Sequence, residues 1–433
     1  MMLIASISCF WDVIATSSLA CKLAGFTEIT DRMIPQPLCH LRYRVLFQFL
    51  ICVLCSSPGT GTAQADGKHA TQTDNPREQR LLRVGYVVDQ SGPLVNDSRD
   101  FFAGSKVLFD ELNAKGAERS LRISVSTRGG DGTPERARQA VLELLRDDKV
   151  DVILGVAGDG VVGAVAADEA VQQLGAPWVG PVSGLRLPPS EGSKRVFFTR
   201  ADYGQEVQHV VRYFHDLGLS RLVVLRQWNT SVAMQRQVHE ALIETVDAKG
   251  LTLTELTLPA TGPDRTALLQ QVAQGSAQAI VVLGDALDYV AVYQAYSAVS
   301  HGAYVVGLST VNPRTVLELV PAAKIGGAMI AQVIGNPTKM GLPLSREFDR
   351  VFKKFFDEPP SHQSLSGFVA AQYLVNAARR VNGTINRTSL LAALQAITKT
   401  EVYGFELNYQ TVPQRGSKFV DLMMIRPDGK LVQ

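Results

Sequence analysis

The sequence predicts an α/β protein built from two doubly wound sheets, and three observations carry that expectation. Short apolar runs alternate with amphipathic stretches from residue 82 to residue 307. Parallel strands need crossover helices of this kind, whereas antiparallel hairpins do not. The body behind the N-terminal segments spans about 350 residues, more than one hydrophobic core usually supports, so two domains are expected.

Residues 82–88 read as a buried strand and 121–126 as the next, with a helix over 100–113 between them that stops near Gly116. Thr133, Pro134 and Glu135 then supply an N-cap, a proline at the first helical position and an early acid. Ala137, Ala140, Val141, Leu144 and Leu145 follow on one helical face. A strand over 150–156 leads into a helix over 159–174, and 176–180 is a further strand. The alternation resumes with helix 203–217, strand 221–226, helix 232–248 and strand 251–258. Helix 264–274, strand 279–283, helix 286–299 and strand 304–307 complete it. In such sheets ligands bind beyond the carboxyl ends of the strands.

All five cysteines lie within the first 55 residues. Arg42 and Arg44 precede an apolar run over 45–55, and Ala63, Gln64 and Ala65 close the segment. A positive flank, a short apolar run and an A-x-A ending make a secretory signal, expected to be cut after Ala65. The run is too short to span a bilayer, and a thiol-free body suits an oxidising compartment. Residues 1–32 sit awkwardly ahead of such a signal, so the start is expected near Met33. Residues 66–80 are polar and non-periodic, a flexible leader. Cutting after Ala65 leaves 39 basic and 38 acidic residues, because four of the 43 and three of the 41 lie ahead of the cut. That near-neutral balance offers nothing to nucleic acid or an anionic membrane.

Gly158, Gly160 and Gly163 match G-x-G-x-x-G after a strand and before a helix. The dinucleotide fingerprint also needs an acid about 20 residues on, at the tip of the next strand. That tip reads Gly180 to Gly184 without one. The glycines are better read as letting backbone approach a small ligand. No G-x-S-x-G elbow, Walker loop or H-E-x-x-H is present, and His239 and Glu240 have Ile243 where a second histidine would stand. With no cysteine in the body, a thiol nucleophile or thiolate metal site is excluded, and neither cofactor nor catalysis is expected.

Gly85, Ser91, Gly92 and Pro93, then a helix ending with Asp110, Glu111 and Asn113, resemble the opening of periplasmic binding proteins of the leucine/isoleucine/valine type. Asp131 with the Pro134 helix, residues 152–155, Pro177 to Gly184, Arg200 to Tyr203 with Glu206, Gly218, residues 368–373 and Asp428 to Lys430 extend the resemblance, in order, over about 81–433. It implies two α/β lobes joined by three hinge crossovers. One would comprise 81–200 and 332–403, the other 201–331 and 404–433, with crossovers near Arg200, Ala331 and Gly404. It also implies a small-molecule solute held between the lobes and handed to an ABC-type membrane permease.

The implied pocket departs from the amino-acid binders. Where they place a serine to grip the ligand carboxylate, this chain has Asp159. Val182 and Ser183 would contribute backbone and hydroxyl contacts, and Tyr203 opens the helix after the first crossover. Near the position of a common pocket tyrosine stand Trp228 and Thr230, and Asp285 falls at the tip of strand 279–284. Ser309 replaces the acid that holds the ligand ammonium, so the α-amino-acid clamp is broken at both ends. Each residue has a duller explanation. Asp159 and Asp285 suit helix caps, Ser183 and Ser309 suit turns, Tyr203 suits packing of its own helix start, and Trp228 could be core. The expected function is a periplasmic solute-binding component of an importer, the alternatives being a ligand-sensing module for a membrane receptor and an exported enzyme.

Overall fold

The structure is a computed structural model that describes residues 80–115, 121–299, 302–410 and 414–432. The expected signal and leader up to residue 79 lie outside the described residues.

The first sheet is laid down by β1 (Arg80–Asp89), α1 (Val95–Ala114), β2 (Leu121–Gly130), α2 (Pro134–Arg146), β3 (Val152–Leu154), α3 (Asp159–Ala167), α4 (Glu169–Leu174), β4 (Trp178–Val179) and β5 (Val196–Phe197). Its strands are parallel in the order β2-β1-β3-β4-β5. The second begins with α5 (Tyr203–Asp216), β6 (Arg221–Gln227), α6 (Val232–Lys249), β7 (Thr252–Leu258), α7 (Pro263–Gln274), β8 (Ala279–Leu283), α8 (Ala286–Ser297) and β9 (Tyr304–Gly307). It continues through α9 (Pro313–Leu319), α10 (Ala322–Ile325) and β10 (Met329–Gln332). The order β7-β6-β8-β9-β10 repeats that of the first sheet. The chain then adds α11 (Pro343–Phe352), α12 (His362–Arg380), α13 (Arg387–Gln395), a hairpin of β11 (Lys399–Val402) and β12 (Phe405–Asn408), and finally β13 (Asp421–Ile425) and β14 (Leu431–Val432).

Local chemistry explains most elements. Thr133 caps α2 by accepting from the Arg136 N–H, and the five expected apolar residues are all buried. Burying Val141, Leu144 and Leu145 contributes about 1.5–3 kcal/mol each, and the two alanines less. Asp202 caps α5 in a reciprocal box with Gln205. Helix α12 is buried along most of its length, its Leu365, Phe368, Val369, Leu374 and Val375 lying in the core. It crosses α1 at two glycines: a Cβ on Gly104 would lie 1.7 Å from the Ser364 carbonyl oxygen, and one on Gly367 2.0 Å from that of Phe101. No side chain fits there, so the N-terminus of α12 is held hard against α1.

Two expectations are corrected and one is extended. The helix over 159–174 is two helices, because the Asp168 carboxylate accepts from the Val171 N–H and starts α4 afresh. The central strands of the second sheet are parallel as expected, but the sheet extends further, since β13 returns from the first lobe and pairs antiparallel with β10 at its edge. The third crossover falls after Gly404: Phe405 and Leu407 pack in the same core as Phe348, Phe368 and Leu374. The chain then runs beside the first crossover, where Phe198 bonds Gln414 and Gly416 through the backbone.

Candidate functional site

The carboxyl ends of β3 and β4 bring three of the expected residues together. Gly158, at φ +102°, is the N-cap of α3, so Asp159 is the first helical residue and its side chain is not the cap. Its Oδ1 instead accepts hydrogen bonds from the Ser183 hydroxyl at 2.6 Å and the Tyr203 hydroxyl at 2.8 Å. Burial raises the Asp159 pKa, opposed by those two bonds and by Arg200. Burial raises the Tyr203 pKa well above its ordinary value, with Asp159 adding to the effect, so the phenol is a neutral donor. Ser183 is fully buried and also accepts from the Leu185 N–H at 3.1 Å. Val182 was expected to offer backbone to a ligand; its N–H bonds the Val156 carbonyl and its carbonyl accepts from Gly158, a parallel bridge that spends both groups within the first lobe.

Ser309 joins a second cluster beside the first. Glu206 takes the Ser309 N–H at 2.9 Å and its hydroxyl at 2.8 Å, and Arg200 meets Glu206 at 2.7 Å and also bonds the Ser309 hydroxyl. Burial raises the Glu206 pKa, with Arg200 and Ser309 opposing. Arg200 lies 5.7 Å over the Tyr203 ring, so the two clusters are contiguous. Behind them Arg415 donates to the carbonyls of Arg200 and Leu185 and stacks 4.2 Å over Phe198, fastening the third crossover to the first.

Three further candidates, Thr230, Asp285 and Trp228, make their contacts elsewhere. Thr230 donates to the Leu283 carbonyl at 3.2 Å, at the end of β8. The Asp285 carboxylate accepts from the Leu287 and Asp288 N–H groups and caps α8. Trp228 is 57 % exposed on the turn after β6, so it is not core.

On the other side of the lobe boundary α1 meets α9. Asn96 donates to Thr315 at 3.1 Å and to Glu318 at 2.9 Å, while Arg314 reaches Asp100 at 3.3 Å and Glu358 at 3.1 Å. Beside these contacts opens a cavity of about 770 Å³, walled by both lobes and by Gln332 at the second crossover. Ser309 is the one sequence candidate on its wall; Asn312, Gln332 and His362 were missed. In the sequence Asn312 ahead of Pro313 carries only a capping signature, and His362 belongs to no motif. Among the described residues no group of three or more His, Cys, Asp or Glu could hold a metal ion, and no helix is long and apolar enough to cross a membrane.

Residues 82–429 match the family described as periplasmic binding protein. The chain belongs to that family. Among solved structures, this family member resembles an extracellular ligand-binding receptor from Verminephrobacter eiseniae, at 22% identity and TM-score 0.74, over 82% of this chain and 100% of that one. It also resembles a substrate-binding periplasmic protein from Ralstonia solanacearum, at 25% identity and TM-score 0.69, over 81% and 99%. A third is the branched-chain amino acid transporter substrate-binding protein LivJ from Streptococcus pneumoniae, in complex with isoleucine, at 17% identity and TM-score 0.69, over 82% and 98%. Comparison with curated proteins gives no match. The fold is thus the two-lobe α/β fold of the leucine/isoleucine/valine type of periplasmic binding protein.

Proposed function

We propose that the protein is the periplasmic solute-binding component of an ABC-type importer, without catalysis of its own, and that its solute is not an ordinary α-amino acid. Export with cleavage after Ala65 and docking to a membrane permease belong to this reading. The lobes are taken as 81–200 with 332–408, and 201–331 with 417–432.

The observation that carries the reading is the Asp159 carboxylate accepting from Ser183 and Tyr203. The resemblance puts the grip on a ligand carboxylate at the position that Asp159 occupies, so the protein's own carboxylate stands there and already takes the Ser183 and Tyr203 hydroxyls. A second carboxylate at ~4 Å would cost about 4 kcal/mol at an effective dielectric near 20, roughly a thousandfold in affinity. The ammonium side is closed as well. The acid beside Ser309 is Glu206, and Arg200 already pairs with it at 2.7 Å. Closure of the lobes on a neutral solute, from 1:99 open to 99:1 closed, needs about 5.5 kcal/mol of preference for the closed state, within reach of micromolar binding.

Native mass spectrometry of protein purified from its host, looking for a carried-over solute, is the test. A neutral small molecule released on unfolding supports the reading. Low-micromolar binding of leucine, isoleucine or valine by calorimetry overturns it.

A further inference from the structure

Three buried nitrogens around the 770 Å³ cavity have no hydrogen-bond partner: Asn312 Nδ2, Gln332 Nε2 and His362 Nε2. Each residue is at most 5 % exposed. A buried polar group left unbonded costs about 1–3 kcal/mol, so native proteins leave few of them, and those few usually mark function or bound molecules. Here three arrive from three separate elements. Gln332 ends β10 where the chain crosses between lobes, Asn312 caps α9 and His362 opens α12. The Asn312 amide lies near enough to Asp97 to favour the ionised carboxyl, yet makes no hydrogen bond of normal geometry with it.

We propose that this cavity binds a compact, uncharged solute through a carbonyl oxygen, received by the amide hydrogens of Gln332 and Asn312 beside His362. The apolar body of the solute rests on Pro313, Leu317, Pro359 and Pro360. The inference rests on the solute-binding reading and names the solute's chemistry and place. A carbonyl is the complement of two primary amides whose spare hydrogens are donors. The uncharged character is favoured by the ion pairs nearby, Arg314 with Asp100 and Glu358, Arg99 with Asp100, and Lys430 with Asp428, while the exposed Glu318 accepts from the neutral Asn96 amide. Burial pushes the His362 pKa down to about 3, so the imidazole is neutral as well. The volume lies in the range of small-molecule sites, roughly 300–1,000 Å³.

The test uses fluorine NMR titration of the whole protein with three matched probes: 4-(trifluoromethyl)benzamide, 4-(trifluoromethyl)benzoate and (trifluoromethyl)benzene. The amide should bind about tenfold more tightly than the hydrocarbon, the worth of one or two net hydrogen bonds, and more tightly than the anion. Gln332→Met and Asn312→Asp should each cost the amide about five- to tenfold and leave the hydrocarbon unchanged. Asn312→Asp keeps the oxygen that caps α9 at the Arg314 N–H. Gln332→Glu carries the same test if Gln332→Met fails to fold. Equal affinities for amide and hydrocarbon, tightest binding of the benzoate, or no amide binding at millimolar probe overturns the proposal. So does amide binding that Asp159→Asn abolishes and Gln332→Met does not. A protein that carries over a solute yet fails here loses only this inference; one that carries none and never closes loses the proposed function.

Discussion

Two polar neighbourhoods meet at the lobe boundary, and they treat their buried atoms oppositely. Around Asp159, Ser183, Tyr203, Arg200, Glu206 and Ser309, no buried side-chain oxygen or nitrogen lacks a partner. Around the cavity between α1, α9 and α12, Asn312, Gln332 and His362 each hold a buried nitrogen with none. A fully bonded buried network fixes one arrangement of the chain, whereas unbonded groups weaken the fold unless something else bonds them. The first neighbourhood therefore reads as architecture that fixes the crossovers, and the second as the place where binding energy remains to be gained.

The largest effect should come from breaking the bonded neighbourhood. Glu206 and Arg200 are both buried, and removing one partner of a buried pair typically costs 3–5 kcal/mol. Glu206→Ala should lose about that much in urea unfolding, and Arg200→Met with Glu206→Leu should recover much of it. Equal loss in single and double variants would show that the pair is not the source.

Next comes pH. Burial pushes the Asp97 pKa up to about 7, with Asn312 opposing and Asp100 adding to it. The folded state then keeps a proton that the unfolded chain releases above about pH 4. Stability should fall as pH rises from about 4 to 7, by at most about 4 kcal/mol. Asp97→Asn should flatten that decline in thermal unfolding and be the more stable protein at pH 7. An unchanged slope would place the ionised carboxyl at ease in its site.

Asp159→Ala leaves two buried hydroxyls without their acceptor and should cost about 1–3 kcal/mol. Gln332→Met should do almost nothing to stability, within about 0.5 kcal/mol, or raise it slightly, because the amide it removes has no partner to lose. A loss of 2 kcal/mol or more there would mean that the two neighbourhoods are not different in kind.

The sequence made the elements legible where local signals agreed. Thr133, Pro134 and five apolar residues at helical spacing define α2 without any outside help. The run at 279–283 is buried at every position, as a central parallel strand should be. What escaped was one local cap and several contacts set by distant segments. Asp168 breaks an apolar helix because its carboxylate prefers the Val171 N–H, a choice that periodicity cannot display. The pairing of β13 with β10 depends on where the chain returns after some ninety residues, and Phe405 packing with Phe348 on a return after some sixty. Asp159, Ser183 and Tyr203 were each marked as candidates from the resemblance, but their bonding to one another was not readable. Capping was the rival explanation, and Gly158 took that role from Asp159, whereas at Asp285 it describes the carboxylate. Asn312, Gln332 and His362 escaped altogether, since lacking a partner is a property of three elements together.

A crystal structure of the protein as purified, with its carried-over solute, tests the central claim most directly. The account expects an uncharged molecule in the cavity, its carbonyl oxygen within hydrogen-bond distance of Gln332 and Asn312, and the Asp159 bonds to Ser183 and Tyr203 intact. A solute carboxylate seated on Ser183 and Tyr203, with Asp159 turned away, would contradict it.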